Sequence, residues 1–189
     1  MTPGVVTEGG ELGYALGTAF GQVLGHPEKT VAVLLGDGEM ETGTSLASLN
    51  LTKLITGEKN GKVLPILHLN GYKISGATIL GRKSERELNE LIRGFGFTPV
   101  AIRGGDPMNF LDVLEDVKNL KNPFFVLKTK KGETGPKFVD GKRVEGNFLA
   151  HQIPLPLAKT DESQLKLLEE WLKSYRFSEI FDKKEGFRL

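Results

Sequence analysis

Short, almost uninterrupted apolar runs set between helix-like stretches constrain this chain more than any other feature. "TVAVLL" (30–35) and "KVLPILHL" (62–69) contain hardly a residue that would choose water. A strand apolar on successive residues reads as buried on both faces. "FTPVAIR" (97–103) and "PFFVLKTK" (123–130) are two further strands. Helical patterns lie between them, over Thr44 to Thr56, Ser84 to Gly94 and Pro107 to Leu120. "SERE" sets Glu87 at the capping-box position of a helix entered at Ser84. Pro107 suits a first helical turn after Asp106. Strand–helix alternation of this kind predicts an α/β fold, a parallel sheet flanked by helices. In such sheets ligands bind beyond the carboxyl ends of the strands. Asp37 and Asn70 follow the first two strands at such ends.

The rest of the chain sets bounds. Its 189 residues suit one domain, expected over 1–189. The Gly-, Lys- and Pro-rich stretch 130–160 reads as a long loop. Residues 161–182 read as a C-terminal helical tail, capped by Thr160 and striped by Leu165, Leu168, Leu172 and Tyr175. With 25 basic and 24 acidic residues, the chain carries no electrostatic footprint for nucleic acid or an acidic membrane. The absence of cysteine excludes disulfides, thiolate metal sites and cysteine nucleophiles. No apolar run is long enough to span a bilayer. "MTPGVVTEGG" has neither the basic start nor the apolar core of a signal peptide. A cytoplasmic protein is the expectation.

Gly13, Gly17, Gly21 and Gly25 recur every four residues in a helix expected over residues 10 to 25. That spacing lines one helical face. Each glycine costs about 0.5–1 kcal/mol relative to alanine, so close approach of another backbone should offset it. Packing within the chain and a crossing at a subunit or domain interface both satisfy that requirement.

"LLGDGEMETGTSL" (34–46) carries the chemistry. A carboxylate and an amide at adjacent strand ends can share one small hard cation. Magnesium takes about six oxygens in octahedral geometry, phosphate oxygens often among them. Glycines beside the aspartate let backbone N–H groups approach a phosphate. Asp37, Gly38, Glu39 and Asn70 therefore form a candidate magnesium–diphosphate site. Asp-Gly and Asn-Gly are also among the commonest turn pairs, so either alone reads as a turn. The parallel-sheet context argues against plain hairpins, and the chain has no G-x-x-x-x-G-K-S/T phosphate loop. His68, inside a strand, reads as a packed residue, and His26 as a surface turn.

Gly36-Asp37-Gly38-Glu39 followed by Asn70 after the next strand resembles the thiamine-diphosphate motif. The longer words "TPG…EGGELGYALGTAFG", "GDGEMETG", "VLPILHLNGYKI" and "GPKFVDGKRVEG…HQIPL" resemble phosphoketolases over almost the whole chain. Phosphoketolases are thiamine-diphosphate enzymes that cleave xylulose 5-phosphate or fructose 6-phosphate with inorganic phosphate. The resemblance implies magnesium ligation by Asp37, Asn70 and the carbonyl of Tyr72. It implies diphosphate contact by the N–H groups of Gly38 and Glu39, and cofactor contact by Gly9 and Gly10. Lys131 in "KKGETGPK" and His151 in "AHQIP" match basic residues that face the sugar-phosphate substrate. On the residues alone, Lys131 is a solvated loop lysine and His151 a loop histidine.

This chain departs from the family at several points. Thr7 stands where the family has histidine, and Glu133 and Gly135 replace a tryptophan and a cysteine. The stretch from Gly104 to Lys121 is shorter. The resemblance covers the later part of the diphosphate-binding domain only. It implies that a pyrimidine-binding domain, with its activating glutamate, comes from elsewhere. The expectation is a homo-oligomer or a complementary chain, and little activity in isolation. The alternatives are a non-catalytic thiamine-diphosphate binder, half of a split transketolase, and a fragment whose site no longer binds.

Overall fold

The computed structural model describes residues 4–6, 11–55, 58–104, 107–117, 119–151, 154–182 and 186–187. The chain divides into two compact units, 1–130 and 131–189. The span 1–189, expected as one domain, thus comprises two compact units.

The first unit runs α1 (Ala15–Val23), β1 (Thr30–Gly36), α2 (Asp37–Met40), α3 (Gly43–Leu49), β2 (Lys62–Leu69) and two short strands, β3 (Tyr72–Lys73) and β4 (Gly76–Ala77). It continues through α4 (Glu85–Gly94), β5 (Thr98–Arg103), α5 (Pro107–Asp116) and β6 (Pro123–Lys128). The four long strands form one sheet in the order β1-β2-β6-β5, with every neighbouring pair parallel. This is the parallel α/β architecture that the alternation predicts. Thr30 lies opposite Lys62 and Gly36 opposite His68. The chain therefore leaves β1 at Asp37 beside the point where it leaves β2 at Asn70.

One face of the sheet is well covered. Leu16, Phe20 and Val23 of α1, Leu49 of α3, and Leu88 and Ile92 of α4 pack on Leu35, Leu67 and Phe124. Phe97 meets Phe124 edge-on at 5.3 Å between ring centres, a favoured aromatic geometry. On the other face Phe110 and Val113 of α5 pack with Ile102 and Phe125, and the cluster reaches Leu64 and Ile66 of β2. Among the described residues it does not reach β1. Leu34 is 62 % exposed. Residues 30–35, expected to be buried on both faces, thus form an outer strand that alternates, with Val33 and Leu35 in and Ala32 and Leu34 out.

Local signals set several element ends. At α4 the Glu87 N–H donates to the Ser84 hydroxyl, and the Ser84 N–H donates to Glu87 Oε2 at 2.8 Å, which completes the capping box. The helix expected from Thr44 to Thr56 runs only over Gly43–Leu49 and tightens into a 3₁₀ turn over Asn50–Lys53. The Thr52 hydroxyl bonds there to the Phe95 carbonyl. Helix α5 stops at Asp116, short of Leu120. Asp106 lies outside the described residues. Helix α1 is shorter than the glycine spacing suggests. Gly13 (φ +99°) and Gly25 (φ +70°) bracket it in left-handed conformations. Gly17 packs closely on α3, where a Cβ would lie 3.0 Å from Ser48 Oγ, whereas Gly21 faces open space.

The second unit holds the hairpin β7 (Phe138–Val139) and β8 (Lys142–Arg143), helix α6 (Glu162–Ser174), and the pair β9 (Phe181–Asp182) and β10 (Gly186–Phe187). Asp140 and Gly141 both have positive φ, which suits a two-residue hairpin turn. The stretch expected as a loop carries that hairpin and a 3₁₀ turn over Phe148–Ala150. The cap of α6 is Asp161, not Thr160. Its carboxylate accepts from the N–H groups of Ser163 and Gln164 at 2.8 and 3.1 Å. The helix ends at Ser174, so 161–182 is a helix, a 3₁₀ turn and a two-residue strand rather than one helix. The expected stripe is also rotated. Leu165, Leu172 and Tyr175 are exposed, and Leu167, Leu168 and Trp171 pack on Val139, Val144 and Leu155. Fully buried Gln164 sets that rotation. Its amide donates to Asp140 Oδ2 and accepts from the Leu157 N–H, both at 2.8 Å.

Candidate functional site

Asp37 is 1 % exposed at the end of β1. Its Oδ1 accepts from the Gly38 N–H at 3.0 Å. Its Oδ2 accepts from the Gly71 N–H at 2.6 Å and from the Thr78 hydroxyl at 3.0 Å. Among the described residues no cationic side chain pairs with it, and nearby Lys73 is engaged with Glu41. A buried carboxylate without a cationic partner is costly in its ionised form. Asn70 lies next to Gly71, and its Oδ1 accepts from the Tyr72 N–H at 3.1 Å. Gly71 has φ +84°, and that left-handed turn folds the Asn70 segment back onto Asp37. The structure thus brings Asp37, Gly38, Asn70 and Tyr72 into one neighbourhood. Gly9 and Gly10 lie outside the described residues.

The three acids of "GDGEMETG" each hold a different backbone segment. Asp37 holds Gly71. Glu39 Oε1 accepts from the Gly13 N–H at 3.2 Å, so its side chain anchors the entry to α1. Glu41, with its side chain 10 % exposed, accepts from the Leu80 N–H at 2.9 Å and from Lys73 Nζ at 3.0 Å. Thr78, Glu41 and Gly13 are site neighbours that sequence reading missed. Glu41 sat inside a quoted word, but Thr78 contacts a partner 41 positions away, and nothing local announces it.

Lys131 and His151 come together within the second unit. Lys131 Nζ lies 2.9 Å from His151 Nδ1. An ammonium has no lone pair to accept with, so the imidazole accepts at Nδ1 and carries its proton on Nε2. His68 Nε2 lies 2.7 Å from Thr129 Oγ1 across the sheet, a half-buried, satisfied residue. His26 pairs with Glu28 on the surface.

The family profile of the XFP N-terminal domain matches residues 1–121 and 112–188. This chain belongs to the XFP N-terminal domain family. Relatives of this XFP domain include a probable phosphoketolase of Bradyrhizobium diazoefficiens, 43 % identical over 96 % of this chain and 25 % of the relative. Another, from Clostridium acetobutylicum, is 44 % identical over 100 % of this chain and 26 % of the relative. The chain therefore spans about a quarter of the length of the curated relatives it matches. Among solved structures, a transketolase mutant from Pichia stipitis superposes with a TM-score of 0.65 at 18 % identity, over 86 % of this chain and 24 % of that one. A Pichia stipitis transketolase complex with sedoheptulose 7-phosphate gives 0.56 at 20 % identity, over 94 % and 24 %. These likenesses show a shared fold.

In this XFP domain a cavity of about 450 Å³ lies away from Asp37. Phe20, Lys53, Lys62, Phe97 and Pro123 line it at the amino ends of β2 and β6. The Asp37 cluster sits at the carboxyl ends of the strands, where open α/β sheets place their ligands. We therefore take that cluster, not the cavity, as the functional candidate.

Proposed function

We propose that this chain is the magnesium- and diphosphate-holding portion of a phosphoketolase-type site, which binds thiamine diphosphate and serves the cleavage of a ketose phosphate with inorganic phosphate. The observation that carries the reading is the buried Asp37 carboxylate, without a cationic side-chain partner among the described residues and folded against the Asn70 loop. The donor chemistry fits the ion. Among the described residues no three His, Cys, Asp or Glu side chains converge, so carboxylate, amide and carbonyl oxygens are the ligands on offer. Those are magnesium's preferences rather than zinc's.

Asp37, Asn70 and the Tyr72 carbonyl would hold the ion, and a carboxylate oxygen that accepts one hydrogen bond keeps a lone pair for it. The N–H groups of Gly38 and Glu39 would meet the diphosphate, with Gly9 and Gly10 against the cofactor. In the structure the Gly38 N–H donates to Asp37 Oδ1, so it would share itself between that oxygen and a phosphate. When bound, thiamine diphosphate supplies the carbanion-stabilising chemistry that carbon–carbon cleavage of this class needs. Lys131 would bind a phosphate or hydroxyl of the sugar phosphate. With Nδ1 occupied by that contact, His151 would offer its Nε2–H as a hydrogen-bond donor to the same ligand. The pyrimidine-binding domain would come from elsewhere in the same polypeptide, a second copy or a complementary chain.

Calorimetric titration of thiamine diphosphate, with and without magnesium, tests the reading beside Asp37→Ala. Magnesium-dependent binding that is lost in the variant is the expected result. Binding that ignores magnesium and survives Asp37→Ala would sink it. Addition of a pyrimidine-domain protein should then yield ketose-phosphate cleavage that depends on inorganic phosphate. Phosphate-independent two-carbon transfer would reassign the site to transketolase-type chemistry.

A further inference from the structure

Thr78 has no exposed surface, and its hydroxyl has two neighbours with opposite needs. The Gly81 N–H, which can only donate, points at Thr78 Oγ1 from 3.1 Å. The hydroxyl hydrogen is therefore directed to its other neighbour, Asp37 Oδ2, at 3.0 Å. The Thr78 N–H in turn donates to the Gly71 carbonyl at 2.9 Å, and the Gly71 N–H donates to the same Oδ2 at 2.6 Å. Asp37, Gly71 and Thr78 thus close a ring of hydrogen bonds.

The loop that carries this ring is fixed at both ends. Glu41 accepts from Lys73 on one side of Thr78 and from the Leu80 N–H on the other. At Gly81 a Cβ would lie 2.6 Å from Gly71 Cα and 2.8 Å from Thr78 Oγ1, so the loop folds on itself too closely for any side chain there. Two donors occupy Oδ2, whereas Oδ1 receives one, from Gly38. The two carboxylate oxygens are not equivalent.

We propose that Thr78 is the positioning residue of the Asp37 carboxylate. Its hydroxyl clamps Oδ2, sets the carboxylate plane and leaves Oδ1 as the oxygen that faces the ion, while Glu41 anchors the loop that brings Thr78 there. The proposal rests on the reading of Asp37 as a metal ligand. Magnesium tolerates little departure from octahedral geometry, so a freely rotating carboxylate is a poor ligand for it. Hydrogen-bonded partners of metal-ligating groups typically contribute about 10–100-fold in affinity.

The test compares the unsubstituted chain with Thr78→Val and Thr78→Ser. Valine keeps the shape and removes the hydroxyl, and serine keeps the hydroxyl. Two quantities are measured: magnesium-dependent thiamine-diphosphate affinity by calorimetry, and amide hydrogen exchange at Gly71 and Gly81 without ligand. The expected result is a loss of about 10–100-fold in affinity for Thr78→Val, faster exchange at both glycines, and recovery of both by Thr78→Ser. Unchanged affinity in Thr78→Val overturns the proposal, and so does equal loss in both variants, the mark of mere packing. If the unsubstituted chain binds no magnesium–thiamine diphosphate, the functional reading fails by itself. The clamp is then judged by exchange, and unchanged rates at Gly71 in Thr78→Val overturn it.

Discussion

Gly13 and Gly21 are interchangeable in the sequence, two members of one four-residue spacing. In the structure they are opposites. Gly13 has φ +99°, and a Cβ there would lie 2.3 Å from Thr44 Oγ1 and 2.4 Å from Thr42 Oγ1. Its N–H also meets Glu39, and its carbonyl accepts from Ser45 at 3.3 Å. A Cβ at Gly21, inside α1, would meet nothing within 4 Å among the described residues beyond its own helix. Gly13→Ala should therefore destabilise the chain by about 1–3 kcal/mol through crowding and backbone strain. Gly21→Ala should stabilise it by about 0.5–1 kcal/mol through helix propensity. Urea unfolding midpoints at constant slope check both, and equal effects would refute the distinction. The periodicity was legible, but which glycine is indispensable depends on α3, which passes over one of them and not the other.

At the scale of elements, helix caps show how far local pattern reaches. The Ser84–Glu87 box closes within three residues, and it was legible because both partners lie in one word. The start of α6 was misjudged by one residue, between Thr160 and Asp161. The choice follows from the burial of Gln164, which bonds to Asp140 across 24 positions. The Ser163 hydroxyl and the N–H groups of Gln164 and Ser163 hold the Asp161 carboxyl below its ordinary value of 3.8. A depressed folded-state value means that the contribution is full above the ordinary carboxylate range. It is lost as pH falls through the depressed one. Helicity followed by circular dichroism should accordingly decline with acid at α6, and Asp161→Asn, which caps without titrating, should weaken that part of the decline. Glu87 is lowered in the same sense by the Ser84 hydroxyl and N–H, so α4 adds a second acid-sensitive cap. A pH profile identical in Asp161→Asn would remove Asp161 from the account.

At the scale of the whole molecule, β1 is an outer strand of the sheet, and Leu34 stands 62 % exposed on its uncovered face, opposite Ile66 of β2. Among the described residues no strand pairs with the outer edge of β1, and an unpaired strand edge beside an apolar side chain is a template for association. Sedimentation velocity should show concentration-dependent self-association of the chain, reduced by Leu34→Lys. A chain that stays monomeric over the same concentrations would show that β1 is not a contact surface. The expected oligomer thus has a definite place to be sought.

The sequence by itself determined the parallel sheet, because apolar runs of strand length and helical periodicities are properties of neighbouring residues. It also determined that Asp37 and Asn70 would both stand at carboxyl ends, since both follow strands that the alternation makes parallel; that those two strands are neighbours is a matter of the sheet order. Only the tertiary structure decided that Asp37 is held by Gly71 and Thr78, that Glu39 reaches Gly13, and that Lys131 meets His151. The partners of Asp37, Glu39 and Lys131 stand 34 and 41, 26, and 20 positions away. No local hydrogen-bonding rule or periodicity spans such gaps. For Asp37, the register of β1 against β2 and the folding of the loop after β2 back over its neighbour bring Gly71 and Thr78 within bonding distance.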